Sequence, residues 1–552
     1  MLKNELLKLK LKGEILDDDL ILSAFSQDAS IFRVRPDTIV APADVDDVKK
    51  LVNYAREAKE RIPTISLTPR AAGSDMTGGP LNESIILDFL KHFNHIQEVT
   101  NTPDGNGYAI AEPGVYYRDF EKATLAKNLL LPPFPASREL CALGGQVGNN
   151  GAGEKTLTHG KIEDYVMELN VVLQDGNEYV FKALNEAELN AKLQQQTFEG
   201  EVYRNIHKLI EDNYEAIHAA KPDVSKNSAG YYLWNVWDKQ KGTFNLTKLI
   251  VGSQGTLGIV TKIKFRLVPP TTKSKLYTIF LKDMKHLVEI VNIILKYKPE
   301  TFESYDDYTL KLAMKFLPQM IKIIKPKNII KLAFQFLPEF WMTLTGGFPK
   351  LVLMAEFAGH DESEIDAKMA AAKKEIDKFG VQSRIIPTEE EAKKYWVIRH
   401  ESFNLLRQHV KNMHTAPFID DIIVKPEHMP EFLPKLNKIL QQYDLIYTIA
   451  GHVGNGNFHI IPLMDFTKPE THKIIPKIAD EVFNLVLSYH GSITAEHNDG
   501  MIRSPYLKQM YGEKIYHLFE RTKQIFDPKN IFNPKKKVGA SLDYSMSHIM
   551  DK

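Results

Sequence analysis

The sequence predicts an α+β protein of two or three domains. Three observations predict it. A chain of 552 residues is too long for one hydrophobic core. The first half repeats a unit of strand, tight glycine turn and strand. From about residue 272 strands and helices alternate at lengths that suit an antiparallel sheet covered on one face.

The elements follow in order. Arg35–Pro42 reads as a proline-bounded strand, and Asp44–Lys59 as a helix with Val45, Val48, Leu51, Val52 and Ala55 on one face. A strand at 65–68 runs into the small-residue loop Pro69-Arg70-Ala71-Ala72-Gly73-Ser74-Asp75-Met76-Thr77-Gly78-Gly79-Pro80. Its many backbone N–H groups can form a nest for a pyrophosphate. Strand 84–88, strand 108–111 and helix Phe120–Asn128 come next, then Pro132 to Ser137 and the run Leu143-Gly144-Gly145-Gln146-Val147-Gly148-Asn149-Asn150-Gly151-Ala152-Gly153. Glycines 144, 145 and 148 allow a ligand to approach the backbone closely. A strand at 165–173 ends in a turn, and Leu249–Thr261 repeats strand, glycine turn and strand.

In the second half, Lys275–Leu281 and Leu351–Phe357 read as strands, and Met284–Lys296 and Glu362–Phe379 as helices. Between them, Leu310–Leu344 carries six lysines against one glutamate amid dense apolar residues, in a chain of formal net charge zero. Basic and apolar residues at this density fit a segment lying on an anionic membrane surface. A buried helical hairpin with solvated lysines is the alternative; the charge imbalance favours the surface. A helix over 395–407 places Trp396, Arg399, Phe403 and Leu406 on one face. An arginine there needs an anion, which is either a structural carboxylate or the carboxylate of a substrate.

The richest stretch is Gly451-His452-Val453-Gly454-Asn455-Gly456-Asn457-Phe458-His459, a glycine and asparagine loop between two apolar strands. It can bring His452 and His459 together. Glu496 follows another β-like run, Gly491–Thr494. Two imidazoles and a carboxylate make a three-ligand metal site with an open position, leaving His497 beside it as a base. Eighteen histidines would also bring some together by chance.

Composition excludes several classes. Zero net charge and a pI near 7.3 argue against a polyanion binder, so no nucleic-acid partner is expected. A single cysteine, Cys141, excludes an internal disulfide and a Cys-ligated cluster within the chain, and suits a reducing compartment. The first residues mix Lys with Leu and lack the apolar core of a signal peptide, and nothing is apolar for long enough to span a membrane. A cytoplasmic protein is expected, peripheral on the inner face of the membrane if the 310–345 segment docks there.

The ordered motifs PRAAGSDMTGG, LGGQVGNNGAG, DYVMELNVVLQDG and VGSQGTLGIVTKIKFRLVP resemble the FAD-linked oxidases of the vanillyl-alcohol oxidase (PCMH) type. The second half resembles the branch of D-lactate, glycolate and D-2-hydroxyglutarate dehydrogenases. The resemblance covers about 35–270 and 445–538. It implies a helical lead-in at 1–34, a two-subdomain FAD-binding domain at 35–271, a substrate cap at 272–500 and a C-terminal segment at 501–552 packing back on the FAD domain. It also implies that Pro69, Arg70, Ala71, Ala72, Gly73, Ser74, Gly78, Gly79, Ser137, Gly144, Gly145, Gly148 and Asn149 hold FAD, with Gly255, Gly258, Ile259 and Val260 completing the pocket.

The chain departs from the family pattern at Ala71, Asn150, His159, Gln254, Asn455, Asn498 and Lys535. The proposed metal ligands His452, His459 and Glu496 are intact; they suit Zn2+, with Mn2+ or Fe2+ as alternatives. The resemblance further implies that Arg399 anchors a substrate carboxylate and His497 takes the hydroxyl proton. The stretch Thr415–Asp421 lacks the lysine that the hydroxyglutarate-type enzymes carry, so a small D-2-hydroxy acid, D-lactate first, is expected. Electrons would then pass to quinone or another external acceptor. D-2-Hydroxyglutarate or glycolate oxidation, a redox-neutral transferase of the alkyl-dihydroxyacetone-phosphate synthase kind and a metallohydrolase are the rival readings.

Overall fold

The computed structural model describes residues 2–324, 347–409 and 413–550. Near the N-terminus lies a mixed four-stranded sheet in the order Glu14–Leu16, Thr38–Ala41, Ile85–Asp88, Leu67–Arg70. The last three are parallel, and parallel neighbours need a crossover. Helix Val45–Ala58 supplies it. The Asp44 side chain caps it by accepting from the Asp47 N–H at 3.1 Å, and Val48, Leu51, Val52 and Ala55 are fully buried beneath it. The pattern of apolar spacing thus becomes one buried face.

A second sheet is antiparallel, in the order Ile96–Asn101, Gly107–Ala111, Ile259–Leu267, Val166–Val172, Glu178–Leu184, Thr243–Asn245, Trp237–Asp238. Its core includes Leu169, Phe181 and Phe265, shared with Phe120, Val202 and Ile206 from covering helices. Leu518, Phe519 and Phe526 of the late helix Leu507–Phe526 belong to the same core.

The third sheet is also antiparallel, running Gln382–Ile385, Lys273–Leu281, Leu351–Gly359, Thr301–Asp306, Ile449–His452, Asn457–Ile460, Ile422–Ile423. It corrects the expectation of a sheet covered on one face. Tyr277, Ile279 and Leu353 pack against helices that include Leu287–Lys296 and Glu362–Ile376. On the opposite face Leu276, Phe280, Val352 and Met354 pack against Phe316, Met320, Tyr395 and Ile398. The run Leu276–Leu281, apolar but for Thr278 and buried throughout, carries this two-sided burial, because a strand with one wet face would alternate.

Three further local readings differ. The glycine run 143–153 opens as a helix, Leu143–Asn149, closed by Asn150 in the left-handed region at φ 53°. Leu143 and Val147, four residues apart, bury one side, and this packing outweighs the low helix propensity of glycine. The apolar triplet 249–251 is not a strand, because residues Thr247–Ile250 form a helical turn; so short an apolar run has no decisive period. Residues 491–494 form no strand of their own and make a single bridge, Ile423 with Ser492.

Of the basic apolar segment, residues 310–324 are described, and 325–345 lie outside the described residues. The described part matches the buried alternative in Phe316, Met320 and Ile324, while Met314 and Leu317 stay exposed. Among the described residues, no helix is long and apolar enough to cross a membrane.

Candidate active site

One cavity of about 400 Å³ runs from the glycine turns to the histidines. At its nucleotide end it is lined by Pro69, Arg70, Ala71, Ala72, Gly73, Ser74, Gly79, Ser137, Gly144, Gly145, Gly148, Asn149, Gly255, Gly258 and Val260. Gly78 and Ile259 are not among the lining residues. Gly78 packs against Phe32 and Met501, and Ile259 is fully buried in strand pairing with Val172.

The local geometry explains the residue types. Gly255 has φ +69°, and a Cβ on it would meet Pro69 Cγ at 2.4 Å. A Cβ on Gly145 would meet nothing within 4 Å, so the missing side chain leaves room in the cavity itself. Asn533 pins the two turns from the far end of the chain: its amide donates to the carbonyls of Gly79 at 2.9 Å and Gln254 at 2.7 Å. Arg70 serves differently from a free phosphate ligand. Its guanidinium donates to the carbonyls of Phe25 at 2.9 Å and Gln27 at 2.7 Å, tying the N-terminal segment to the loop. The open space at Gly145, together with Gln146 Oε1, a buried lining atom without a partner, fits a flat polar cofactor.

At the other end three imidazoles converge on one oxygen. His452 Nε2 and His459 Nε2 each lie 3.3 Å from Glu496 Oε1, and His497 Nε2 lies 3.9 Å from it. Behind each ring stands a carboxylate. His452 Nδ1 faces Glu303 Oε1 at 2.6 Å. His459 Nδ1 and His497 Nδ1 face the two oxygens of Asp420, at 3.1 and 3.0 Å. For His452 and His459 the carboxylate is hydrogen-bonded to Nδ1 and fixes the tautomer that leaves Nε2 facing the cavity; His497 Nδ1 and Asp420 Oδ2 are close but not aligned as a hydrogen bond. This donor set, two backed imidazoles and a carboxylate oxygen, fits a divalent cation.

The electrostatics are strong because the groups are buried. The positive His459 and His497 hold Asp420 far below the usual carboxylate range, overcoming its desolvation. The Asp420 charge and Glu496 push His459 up to about 10 against burial. Asp421 and Asp420 likewise raise His497 against its desolvation. Lys226 and His452 hold Glu496 well below the ordinary value, again against burial. These are the effects of the protein's own charges; a bound cation would favour the neutral imidazoles.

Among the described residues, the ligand atoms of Asp421, His459, Glu496 and His497 all lie within 4.8 Å of one another, a set that differs from the expected one in holding His497 and not His452; within it Asp421 acts as a loop anchor. One of its oxygens, Oδ2, accepts from the N–H groups of Ala495, Glu496 and His497 at 2.7–2.9 Å and from the Thr494 hydroxyl at 2.7 Å. Asn457 takes its other oxygen at 3.1 Å. With both oxygens engaged, we leave Asp421 out of the cation set. Asn498, where the family pattern has glycine, adopts φ 72° and donates its amide to the carbonyls of Asn149 and Gly252 at 3.1 and 3.0 Å. That side chain fastens the Glu496 loop to the nucleotide turns.

Arg399 lines the same cavity, and its Nη2 donates to Glu303 Oε2 at 3.2 Å. The structural carboxylate is therefore present, while the buried Nε has no partner. Sequence reading missed Glu303, which bridges Arg399 and His452. It also missed Asp420, Lys226, and Glu154, which is hydrogen-bonded to His400. The available signals were faint: the acid of Phe302-Glu303-Ser304 in the strand Thr301–Asp306 and the doublet Asp420-Asp421 between isoleucines.

The glycine-lined cavity on a mixed and an antiparallel sheet, facing a cap that carries the histidines, defines a flavoprotein of the PCMH-type fold. The chain belongs to the FAD-linked oxidase family: the FAD binding domain matches residues 36–181, and the C-terminal domain of FAD linked oxidases matches 271–537. FAD is the cofactor that the family match gives this chain. The chain is 27% identical over 536 residues to D-2-hydroxyglutarate dehydrogenase of Pseudomonas putida, covering 95% of this chain and 50% of that protein. It is 28% identical to glycolate oxidase subunit GlcD of Bacillus subtilis, covering 93% and 91%, and 25% identical to D-lactate dehydrogenase of Archaeoglobus fulgidus, covering 91% of each. The chain thus spans about half the length of several D-2-hydroxyglutarate dehydrogenases it matches. Among solved structures, 4-ethylphenol oxidase from Gulosibacter chungangensis superposes with a TM-score of 0.69 at 15% identity, covering 98% of both chains. An alkyldihydroxyacetonephosphate synthase superposes at 0.63 and 15% identity, covering 95% and 82%. At these identities the likeness is one of fold.

Proposed function

We propose that the protein is an FAD-dependent dehydrogenase that oxidises a small D-2-hydroxy acid, D-lactate first, to the 2-oxo acid. The observation that carries this reading is the single cavity holding the nucleotide turns, Arg399 and the backed histidines together. Relatives named as 2-hydroxy-acid dehydrogenases support it.

When bound, FAD would supply the hydride acceptor, and a divalent cation, Zn2+ before Mn2+ or Fe2+, would be held by His452, His459 and Glu496 and would supply Lewis-acid charge that lowers the pKa of a hydroxyl. The side chains do the rest. Arg399, held by Glu303 through Nη2, orients the substrate carboxylate through its remaining N–H donors. His497 Nε2 receives the hydroxyl proton as the C2 hydrogen departs with its electron pair. Asp420, held ionised, faces Nδ1 of the resulting imidazolium. The walls Ala450 and Ile461 keep that end partly apolar, which limits competing water.

Among the described residues, the cationic side chains lining this end are Arg399 and the histidines, with no lysine. This favours a monocarboxylate over a dicarboxylate, despite the names of several relatives. The test is an anaerobic visible spectrum before and after substrate. Bleaching by D-lactate and not L-lactate is the expected result. Bleaching by D-2-hydroxyglutarate alone would transfer the assignment to the longer acid; an unbleached flavin with every hydroxy acid would move it to the redox-neutral transferase.

The acceptor we propose is quinone, reached at a membrane surface. Tyr308, Met314, Leu317 and Phe348 are exposed apolar side chains near the exposed Lys315 and Lys350. The protein is expected to float with anionic phospholipid vesicles, less so in high salt. Equal recovery with and without vesicles would remove the membrane reading.

A further inference from the structure

One buried side chain joins the nucleotide end to the histidine cluster. Lys226 lies in the loop Lys226-Asn227-Ser228-Ala229-Gly230, 270 residues before its partner, and is fully buried. Its ammonium donates to Glu496 Oε2 at 3.0 Å and to the Gly153 carbonyl at 3.4 Å. Gly153 belongs to the turn whose neighbours Gly151 and Ala152 line the cavity.

An ammonium with no exposure to water is costly unless it is paired and hydrogen-bonded. Here the pairing also divides the two oxygens of Glu496. Oε2 is engaged by Lys226, and Oε1 is the oxygen that faces His452 and His459. A carboxylate without that restraint could turn about its terminal torsion, which is broad and roughly two-fold. It could then present either oxygen, or neither, to the imidazoles. The Gly153 carbonyl fixes the other side of the ammonium, so the orientation of Glu496 is referred to the backbone of the nucleotide turn.

We propose that Lys226 is a positioning residue for Glu496: it selects the oxygen offered to a divalent cation and anchors that choice to the nucleotide turn. The proposal rests on the metal reading given above. Groups standing behind metal ligands typically change metal affinity by about 10- to 100-fold when removed.

The test uses the FAD-loaded protein, stripped with a chelator and titrated with Zn2+ while metal bound per chain is measured. Lys226→Met is expected to weaken Zn2+ binding about 10- to 100-fold while FAD per chain stays at the wild-type level. Lys226→Gln, which keeps a donor toward Oε2, should recover part of that loss. If Lys226→Met does not fold, Lys226→Leu, which also lacks a donor, carries the same comparison with wild type. A merely structural role is separated by the double variant. In a Glu496→Ala background there is no carboxylate to orient, so Lys226→Met should cost little further affinity. Wild-type Zn2+ affinity in Lys226→Met, or losses that simply add with Glu496→Ala, would overturn the proposal. Wild-type protein that binds no Zn2+, Mn2+ or Fe2+ would remove the metal reading itself, and this proposal with it.

Discussion

Replacing His497 by alanine is expected to leave the flavin oxidised when D-lactate is added without oxygen. The side chain is partly exposed to the cavity, and its Nδ1 is backed by Asp420 at 3.0 Å. A positioned base of this kind contributes about 10²- to 10⁴-fold to the rate, and stopped-flow flavin reduction should slow by that factor. FAD content and metal content should hold, because Asn498 and not His497 ties this loop to the cofactor turns, and His452, His459 and Glu496 keep their own partners. His497 must give up its proton before it can take another, and Asp421 and Asp420 raise its affinity for that proton. Reduction by the native protein should therefore fall on acidification, and this limb should vanish in His497→Ala. Reduction at the native rate in the variant would remove the base assignment and pass it to another group of the cluster.

The second large effect is expected from Gly145→Val. Gly145 lies in helix Leu143–Asn149 with an ordinary negative φ, and a Cβ there meets no protein atom within 4 Å. The first added carbon therefore meets open space on a residue that lines the cavity, and the branched side chain takes volume there. The variant should purify folded and colourless, having lost FAD, and with FAD all hydroxy-acid oxidation. Gly145→Ala, smaller and with better helix propensity than glycine by about 0.5–1 kcal/mol, should retain FAD in part. Yellow Gly145→Val protein with one FAD per chain would place the cofactor away from this helix. The contrast with Gly255 is instructive: there a Cβ would strike Pro69 at 2.4 Å, so a variant could misfold before it lost the cofactor.

The nucleotide end was legible because its requirements are local. Gly73, Gly252, Gly255 and Gly258 all adopt positive φ, a demand that falls on single residues and is met by choosing glycine. The helix at 45–58 was legible for the same reason: its apolar spacing and its Asp44 cap lie within one short stretch. The glycine run 143–153 was legible as a cavity lining but not as a helix. Its glycines argue against helical structure, and only the burial of Leu143 and Val147 against distant strands outweighs them.

By itself, then, the sequence determined the α+β class, many of the strands and the glycine turns, and it singled out His452, His459, Glu496 and His497, which the fold brings to one cavity, since each depends on residue type and short spacing. The tertiary structure decided how that set is held. Glu303 meets His452 across 149 residues, Asp420 meets His459 across 39, and Lys226 meets Glu496 across 270. It also decided that the cap sheet is covered on both faces, and that Arg399 leans on Glu303. The physical reason is that backbone preference is written residue by residue. The charge state and orientation of a buried acid or imidazole instead depend on which opposite charge the folded chain brings within hydrogen-bond reach.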